Sequence, residues 1–326
     1  MKPILLPANQ PAARFYKGGA RIAEFRGSHD VQPNTPEDWV GSTTSVRGHA
    51  PVGMTRLKDG RLLSDAVASK PLEWLGPEHF ARYGHDSMLL VKLLDAGQQL
   101  PVHAHPNGDF AATHVSALHG KAEAWYILSP GKVYLSLKRD LSVAELHSFV
   151  ETQTIDTLLS LMHEITVEVG DCVFVPHGVL HAIGAGILLA EVQEPEDLSI
   201  LLQWKDFDLD GLSDGHLGLG FELALTAVER TERSEDNVEA LIRRRVTSGN
   251  SLPDEAGPFF RLDRVEKNQH FAAGFGIVIA LDESVQLKVR GGDHHLAPGS
   301  TMLIPYATGA FSLEGPALLA RPPKSE

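Results

Sequence analysis

The chain has 326 residues, 43% of them apolar and 22% charged, which suits a soluble globular protein of one large domain or two ordinary ones. A formal net charge of −13 argues against a nucleic-acid backbone as the main partner, because repeated phosphate contacts need a basic surface; a local cluster of Lys and Arg can still hold a single anionic sugar. No apolar run reaches the ~18–20 residues of a membrane helix, the proline-broken start Met1-Lys2-Pro3-Ile4-Leu5-Leu6-Pro7 is too short for a signal peptide, and the single cysteine excludes an intrachain disulfide. These features predict a cytoplasmic protein without a membrane partner.

Residues 1–96 read as short strands among turn formers, including Lys17-Gly18-Gly19 and Pro33-Asn34-Thr35-Pro36. Residues 77–82 read as a brief helix, and 88–94 as a buried strand leading to Gly97-Gln98-Gln99-Leu100-Pro101-Val102-His103-Ala104-His105. His103 and His105 are two residues apart, so a strand turns both to one face, where both can reach one ion. Glu123 follows on Lys121-Ala122-Glu123-Ala124-Trp125-Tyr126. Residues 142–150 and 154–162 have helical spacing, with Ser142 and Glu145 as a capping box, which predicts a helical insertion at about 141–163. Gly170 then opens an apolar strand that ends in the corner Pro176-His177-Gly178 and reaches His181; Cys172 reads as a small core residue of that strand.

Further helices are expected over about 218–230 and over 237–246, where Arg243-Arg244-Arg245 reads as a solvated helix end near the negative pole of the helix dipole. From about 258 the chain returns to short strands. His294-His295, beside Gly291-Gly292-Asp293, reads as a solvated turn. Gly299-Ser300-Thr301-Met302-Leu303-Ile304-Pro305 repeats the glycine, apolar strand and proline of residues 170–176, but Ala310 stands where the first copy has His181. That pattern predicts a second barrel without a metal centre.

The spacing Gly-x5-His-x-His, a later Glu, then Gly-x5-Pro-x-Gly-x2-His resembles the two signature motifs of the cupin superfamily, whose jelly-roll barrels bind metals with such residues. The expected fold is therefore mainly β, with two cupin-type jelly-roll barrels and a helical insertion. Residues 1–204 would form the metal-binding cupin, 205–257 a helical connection and 258–326 a degenerate cupin. His103, His105, Glu123 and His181 are the expected metal ligands.

Several segments are also similar to the class I mannose-6-phosphate isomerase family, especially its short bacterial members. They are Tyr16-Lys17-Gly18-Gly19, the stretch from Glu37 to Ser42, residues 89–95, His105-Pro106, residues 120–128, residues 176–184 and residues 190–199. The resemblance implies an isomerase that interconverts an aldose phosphate and a ketose phosphate through an enediol, with zinc on the four ligands; manganese, iron or nickel are alternatives. It also implies Lys121 and Glu191 as the groups that move a proton between adjacent carbons. Ser42, Arg47 and Lys92 are candidates for the phosphate, and Trp39, Trp125 and Tyr126 for the floor under the sugar. Ser42 reads equally as a turn hydroxyl, and the aromatics equally as core.

Two positions depart from the family. His103 stands where the family has Gln or Lys, and Ile200-Leu201 replace a Tyr-Arg pair whose arginine is implicated in catalysis. Leucine cannot supply a cation. A different cupin enzyme, an epimerase or oxygenase acting on a sugar-like or small acid substrate, or a non-catalytic sugar-binding cupin thus stand as alternatives to an isomerase whose partner is a small-molecule sugar or sugar phosphate.

Overall fold

Apolar runs in the middle of the chain form two antiparallel sheets that face each other in the computed structural model, which describes residues 1–12, 14–29, 32 and 34–325. Pro33 of the expected Pro33–Pro36 turn and Glu326 of the expected second barrel lie outside the described residues. The first sheet has six strands in the spatial order Ile242–Arg243, Cys172–Val175, Glu123–Ile127, Leu188–Gln193, Leu90–Asp95 and Glu37–Val40. The second has five, in the order Ile200–Leu201, His103–Ala104, His181–Ile183, Gly131–Leu137 and Met162–Val167.

A second pair of sheets follows from the C-terminal part. Six strands, Ile4–Leu6, Thr301–Ile304, Gly276–Ala280, Ala317–Arg321, Arg261–Val265 and Gly249–Asn250, pack against four, Gln269–Phe271, Phe311–Glu314, Val285–Val289 and Gly292–Leu296. Val278, Leu287, Leu296, Met302, Leu313 and Leu319 form the core between them. The N-terminal strand Ile4–Leu6 thus pairs with Thr301–Ile304, which ties the start of the chain to its end.

Each sheet near the histidines has an inward and an outward face, because side chains alternate along a strand. Val91, Ala124, Phe174 and Val192 point out from the six-stranded sheet and share a core with Ile277, Ile279 and Leu318 of the C-terminal part. Ala104, Ala182 and Ile200 point out from the five-stranded sheet and meet Leu146, Phe149, Val150 and Leu158 of the helices Val143–Thr152 and Ile155–Ser160. Both outer faces are therefore covered by apolar packing, and the inner faces carry polar groups among apolar ones. No helix among the described residues is long and apolar enough to cross a membrane.

The capping box forms as expected: Ser142 Oγ accepts from the Glu145 amide at 3.2 Å and Glu145 Oε2 accepts from the Ser142 amide at 2.9 Å. Residues 77–82 and 88–94 become the helix Pro77–Tyr83 and the strand Leu90–Asp95. Four expectations need correction. The 154–162 helix stops at Ser160, because Met162 begins a strand that pairs with Leu137. The expected 218–230 helix shrinks to Phe221–Ala224 and a 3-10 turn over Leu225–Ala227; Gly218 and Gly220, at φ 81° and 76°, keep the chain out of the helical region before it. The expected 237–246 helix is Glu235–Glu239 only, since Ile242 and Arg243 extend to pair with Val173 and Cys172. Arg244 is consequently no helix end: it bridges Glu239 and Asp171 across that strand. Finally, His294 and His295 lie in the strand Gly292–Leu296 and not in a turn.

Removing the capping hydroxyl should cost about 1 kcal/mol, the usual value for an N-cap. Urea unfolding of Ser142→Ala at pH 7 should show that loss, with metal uptake equal to wild type because the helix covers the outer face only.

Candidate active site

Strand register decides what enters the space between the two facing sheets. Glu191 pairs with Lys92 on one side and Trp125 on the other, and Lys92 pairs with Trp39, so all four share the inner face with Glu37 and Glu123. On the opposite sheet His103 lies directly between His181 and Leu201, and those three also point inward. His105 follows one step beyond the strand, held by its carbonyl accepting from the Gly178 amide at 2.7 Å. That contact joins the two histidine motifs at the corner before His181.

The imidazoles are set in a single orientation. Nδ1 of His103, His105 and His181 lies 2.8, 2.6 and 2.8 Å from the carbonyl oxygens of Pro101, Leu198 and Val179. A carbonyl can only accept, so each Nδ1 carries the proton and each Nε2 presents a lone pair. His105 Nε2 stands 3.1 Å from Glu123 Oε2 and His181 Nε2 3.4 Å from Glu123 Oε1. One ligand atom from each of the four residues lies within 4.8 Å of the others, and all four residues are buried.

Protonation matches that arrangement. Burial, with His181 and His105 nearby, holds His103 well below the usual histidine range; burial and the Lys121 ammonium hold His105 at about 3. Burial would raise the Glu123 carboxyl, but Lys121 and His105 outweigh it and keep it well below the carboxylate range. Neutral imidazoles beside an ionised carboxylate are the states a divalent cation requires. The fit is further marked by His181 Nε2 and Glu123 Oε2, which are buried without a directed hydrogen bond, although Lys121 Nζ makes an ion-pair contact to Oε2 at 2.7 Å. The residues thus form a buried four-ligand site that can bind a metal ion.

A second charged layer adjoins the first. Lys92 is 2% exposed and lies 3.4 Å from Glu191, 3.7 Å from Glu37 and 4.8 Å over the Trp39 ring. Burial disfavours the Lys92 charge, but the two carboxylates outweigh that and raise its pKa. Glu37 would likewise rise on burial, yet Arg14 at 3.2 Å, Lys92 and hydrogen bonds from Tyr16 and Trp39 lower it to about 2. Glu191 goes the other way: burial and then the Glu123 charge raise its pKa, against Lys92. One carboxyl of this layer is therefore firmly ionised and its neighbour holds a proton more readily.

These groups line a cavity of about 750 Å³ whose wall includes Lys121, Glu191, Lys92, Arg47, His103 and Leu201. Ser42 is not in that wall; its hydroxyl donates to the Thr44 carbonyl and accepts from the Thr44 amide, which closes a local turn. Trp39 and Trp125 are fully buried behind the wall and donate their indole N–H groups to Glu37 at 3.0 Å and Glu123 at 2.9 Å. Tyr126 faces the opposite side of the sheet, where its hydroxyl accepts from Arg264 at 3.2 Å. Cys172 is buried, and burial pushes its thiol pKa up.

Sequence reasoning gave no role to Arg14, Tyr16 or Glu37. Glu37-x-Trp39 and Glu123-x-Trp125 share one pattern, a carboxylate and an indole donor two residues apart on one strand face, and that repeat was the available signal. Arg14 had none, because its partners Glu37 and Asp197 are far away in the chain.

No family model matches the chain. Mannose-6-phosphate isomerase ManA of Bacillus subtilis (strain 168) is 29% identical over 249 residues, spanning 70% of this chain and 72% of that protein. A mannose-6-phosphate isomerase of Streptococcus mutans is 31% identical over 203 residues, 60% of this chain and 58% of its own length. The chain is thus similar in sequence to mannose-6-phosphate isomerases. Solved mannose-6-phosphate isomerase structures share its fold along nearly the whole length. That of Bacillus subtilis has a TM-score of 0.69 at 20% identity, covering 98% of this chain and 99% of that one. A variant of phosphomannose isomerase from Salmonella typhimurium has a TM-score of 0.74 at 15% identity, covering 99% and 100%.

Two outcomes test the site. Dialysed His105→Ala and His181→Ala proteins should lose metal affinity by about 100-fold or more, measured by elemental analysis against wild type, whereas full metal content in both would remove these ligands. In metal-free protein the His105 pKa of about 3, against an ordinary 6.5, means that the unfolded chain takes up the proton first. Stability present above pH 6.5 should then fall as the pH drops towards 3, by up to about 1.4 kcal/mol per pH unit from this group, and urea unfolding of His105→Asn should show a shallower slope.

Proposed function

We propose that this protein is a metal-dependent aldose–ketose isomerase that converts a mannose-type sugar, or its 6-phosphate, to the ketose through an enediol. The observation that carries the reading is the convergence of three Nε2 lone pairs and one carboxylate on a cavity whose wall also holds Lys121 and Glu191. Zinc suits a set of three imidazoles and one carboxylate, with manganese, iron or nickel as alternatives. When bound, such an ion polarises the oxygens of the open-chain sugar and lowers the cost of removing the proton from the carbon next to the carbonyl.

The chain's own groups handle the proton. Glu191 takes it from C2 and returns it to C1, while the hydroxyl proton of O2 passes to O1; its Oε1 is buried with no directed hydrogen bond and faces only the Lys92 ammonium. Lys92, 3.4 Å away, holds the Glu191 carboxylate in position. The Lys121 ammonium, 2.7 Å from Glu123 Oε2 and 3.0 Å from His105 Nε2, stands at the cavity wall where it can donate to the sugar oxygens, and Arg47 stands in the wall as a further donor. Burial of Glu191 and Lys92 keeps water from competing for the proton during transfer.

The two sheet pairs fit two cupin-type jelly rolls, a metal-binding one within residues 1–204 with the 141–163 insertion and a degenerate one within 258–326; strands cross those bounds, since Ile4–Leu6 joins the second pair and the expected helical connection over 205–257 lends Ile242–Arg243 to the first and Gly249–Asn250 to the second. A cytoplasmic location suits the buried free cysteine and the high negative charge. Leu201 in the cavity wall and His103 as a third imidazole favour a second reading, a different cupin reaction such as epimerisation.

The test is exchange of solvent hydrogen into the carbon next to the carbonyl, followed by NMR in D2O. Glu191→Gln should lower that exchange by about 10²-fold or more with metal content retained, and Lys121→Met should mainly raise KM. Wild-type exchange in both variants would remove the two residues from the mechanism.

A further inference from the structure

We propose that the substrate of this site is an uncharged aldose and not a sugar phosphate, an inference that rests on the isomerase reading above.

Among the described lining residues of the cavity, six are carboxylates and four are cationic. Three of the cations already have carboxylate partners: Arg14 faces Glu37 and Asp197, Lys92 faces Glu37 and Glu191, and Lys121 faces Glu123. Arg47 is exposed, its guanidinium donating to the Val115 carbonyl at 3.1 Å and its amide to Asp197 at 3.2 Å. A divalent ion on the four ligands, at the buried floor of the cavity, would offset the excess of two carboxylates in the wall and leave the exposed rim as it is.

That rim is acidic. Asp208 and Asp214 are exposed residues of the wall, on the segment that follows Leu201, and the Asp208 amide donates to the Phe15 carbonyl next to Arg14. Leu201 itself points into the cavity beside His103 and is 6% exposed, so the wall next to His103 offers hydrocarbon there. A phosphate dianion brought into this cavity would leave water, meet one cation without a carboxylate partner and pass two aspartates at the rim. Desolvation without matched countercharge is costly.

Sugar hydroxyls suit the same wall well. Each hydroxyl donates and accepts, so carboxylates can take its hydrogen while ammonium and guanidinium groups bind its oxygen. A net charge of −13 also opposes the approach of an anion and leaves a neutral sugar unaffected.

The experiment compares D-mannose with mannose 6-phosphate on zinc-loaded protein, by hydrogen exchange at C2 and by product formation. It is paired with titration calorimetry of mannitol and mannitol 1-phosphate, which cannot isomerise. The expected result is kcat/KM at least 10-fold higher for the free sugar and tighter binding of mannitol than of its phosphate. Leu201→Arg should shift that ratio 10-fold or more towards the phosphate. A wild-type preference for mannose 6-phosphate, with mannitol 1-phosphate binding more tightly, would overturn the inference and leave the isomerase reading intact. Absence of exchange with every aldose and aldose phosphate would overturn the isomerase reading and the inference with it.

Discussion

Three imidazole lone pairs and an ionised carboxylate face one another inside a closed protein interior, and most of the surrounding structure serves to keep them there. Groups of this kind repel one another, burial strengthens the repulsion because little water remains to screen it, and the Lys121 ammonium, 2.7 Å from Glu123 and 3.0 Å from His105 Nε2, offsets part of it. The chain prevents the easy escape, which is rotation of a ring. Carbonyls of Pro101, Leu198 and Val179 fix all three Nδ1 atoms, and the Trp125 indole fixes Glu123. A preorganised site of this sort binds a cation without first rearranging.

The outer layers make that polar interior affordable in structural terms. One sheet is backed by the C-terminal sheets through Ile277, Ile279 and Leu318, the other by the helices Val143–Thr152 and Ile155–Ser160. Apolar burial on the outer faces thus supplies the stability that the inner faces lack. Within the cavity the same economy of placement recurs in Lys92, whose one ammonium balances Glu37 and Glu191 while lying over Trp39.

What could be read from the sequence was what depends on local period. A His-x-His spacing becomes shared direction once a strand is assumed, and Ser142 with Glu145 becomes a cap once a helix is assumed; both rest on neighbours a few residues apart. The repeat around Pro305 likewise places Ala310 just before the strand Phe311–Glu314, as His181 opens its own strand. What failed depended on distant partners. The pattern of residues 237–246 is helical in isolation, yet an unpaired edge at Cys172–Val175 draws Ile242 and Arg243 into a strand. The Arg14 contacts with Glu37 and Asp197 have no sequence signature, and the burial of Trp39 and Trp125 behind the wall depends on register between strands far apart in the chain.

The central claim is that His103, His105, Glu123 and His181 together hold one ion. X-ray absorption and anomalous scattering on zinc-loaded protein test it most directly. The account predicts one ion per chain with three nitrogen ligands and one oxygen ligand from these side chains at about 2.0–2.2 Å. An ion bound elsewhere, or one at this site without the His103 nitrogen, would contradict it.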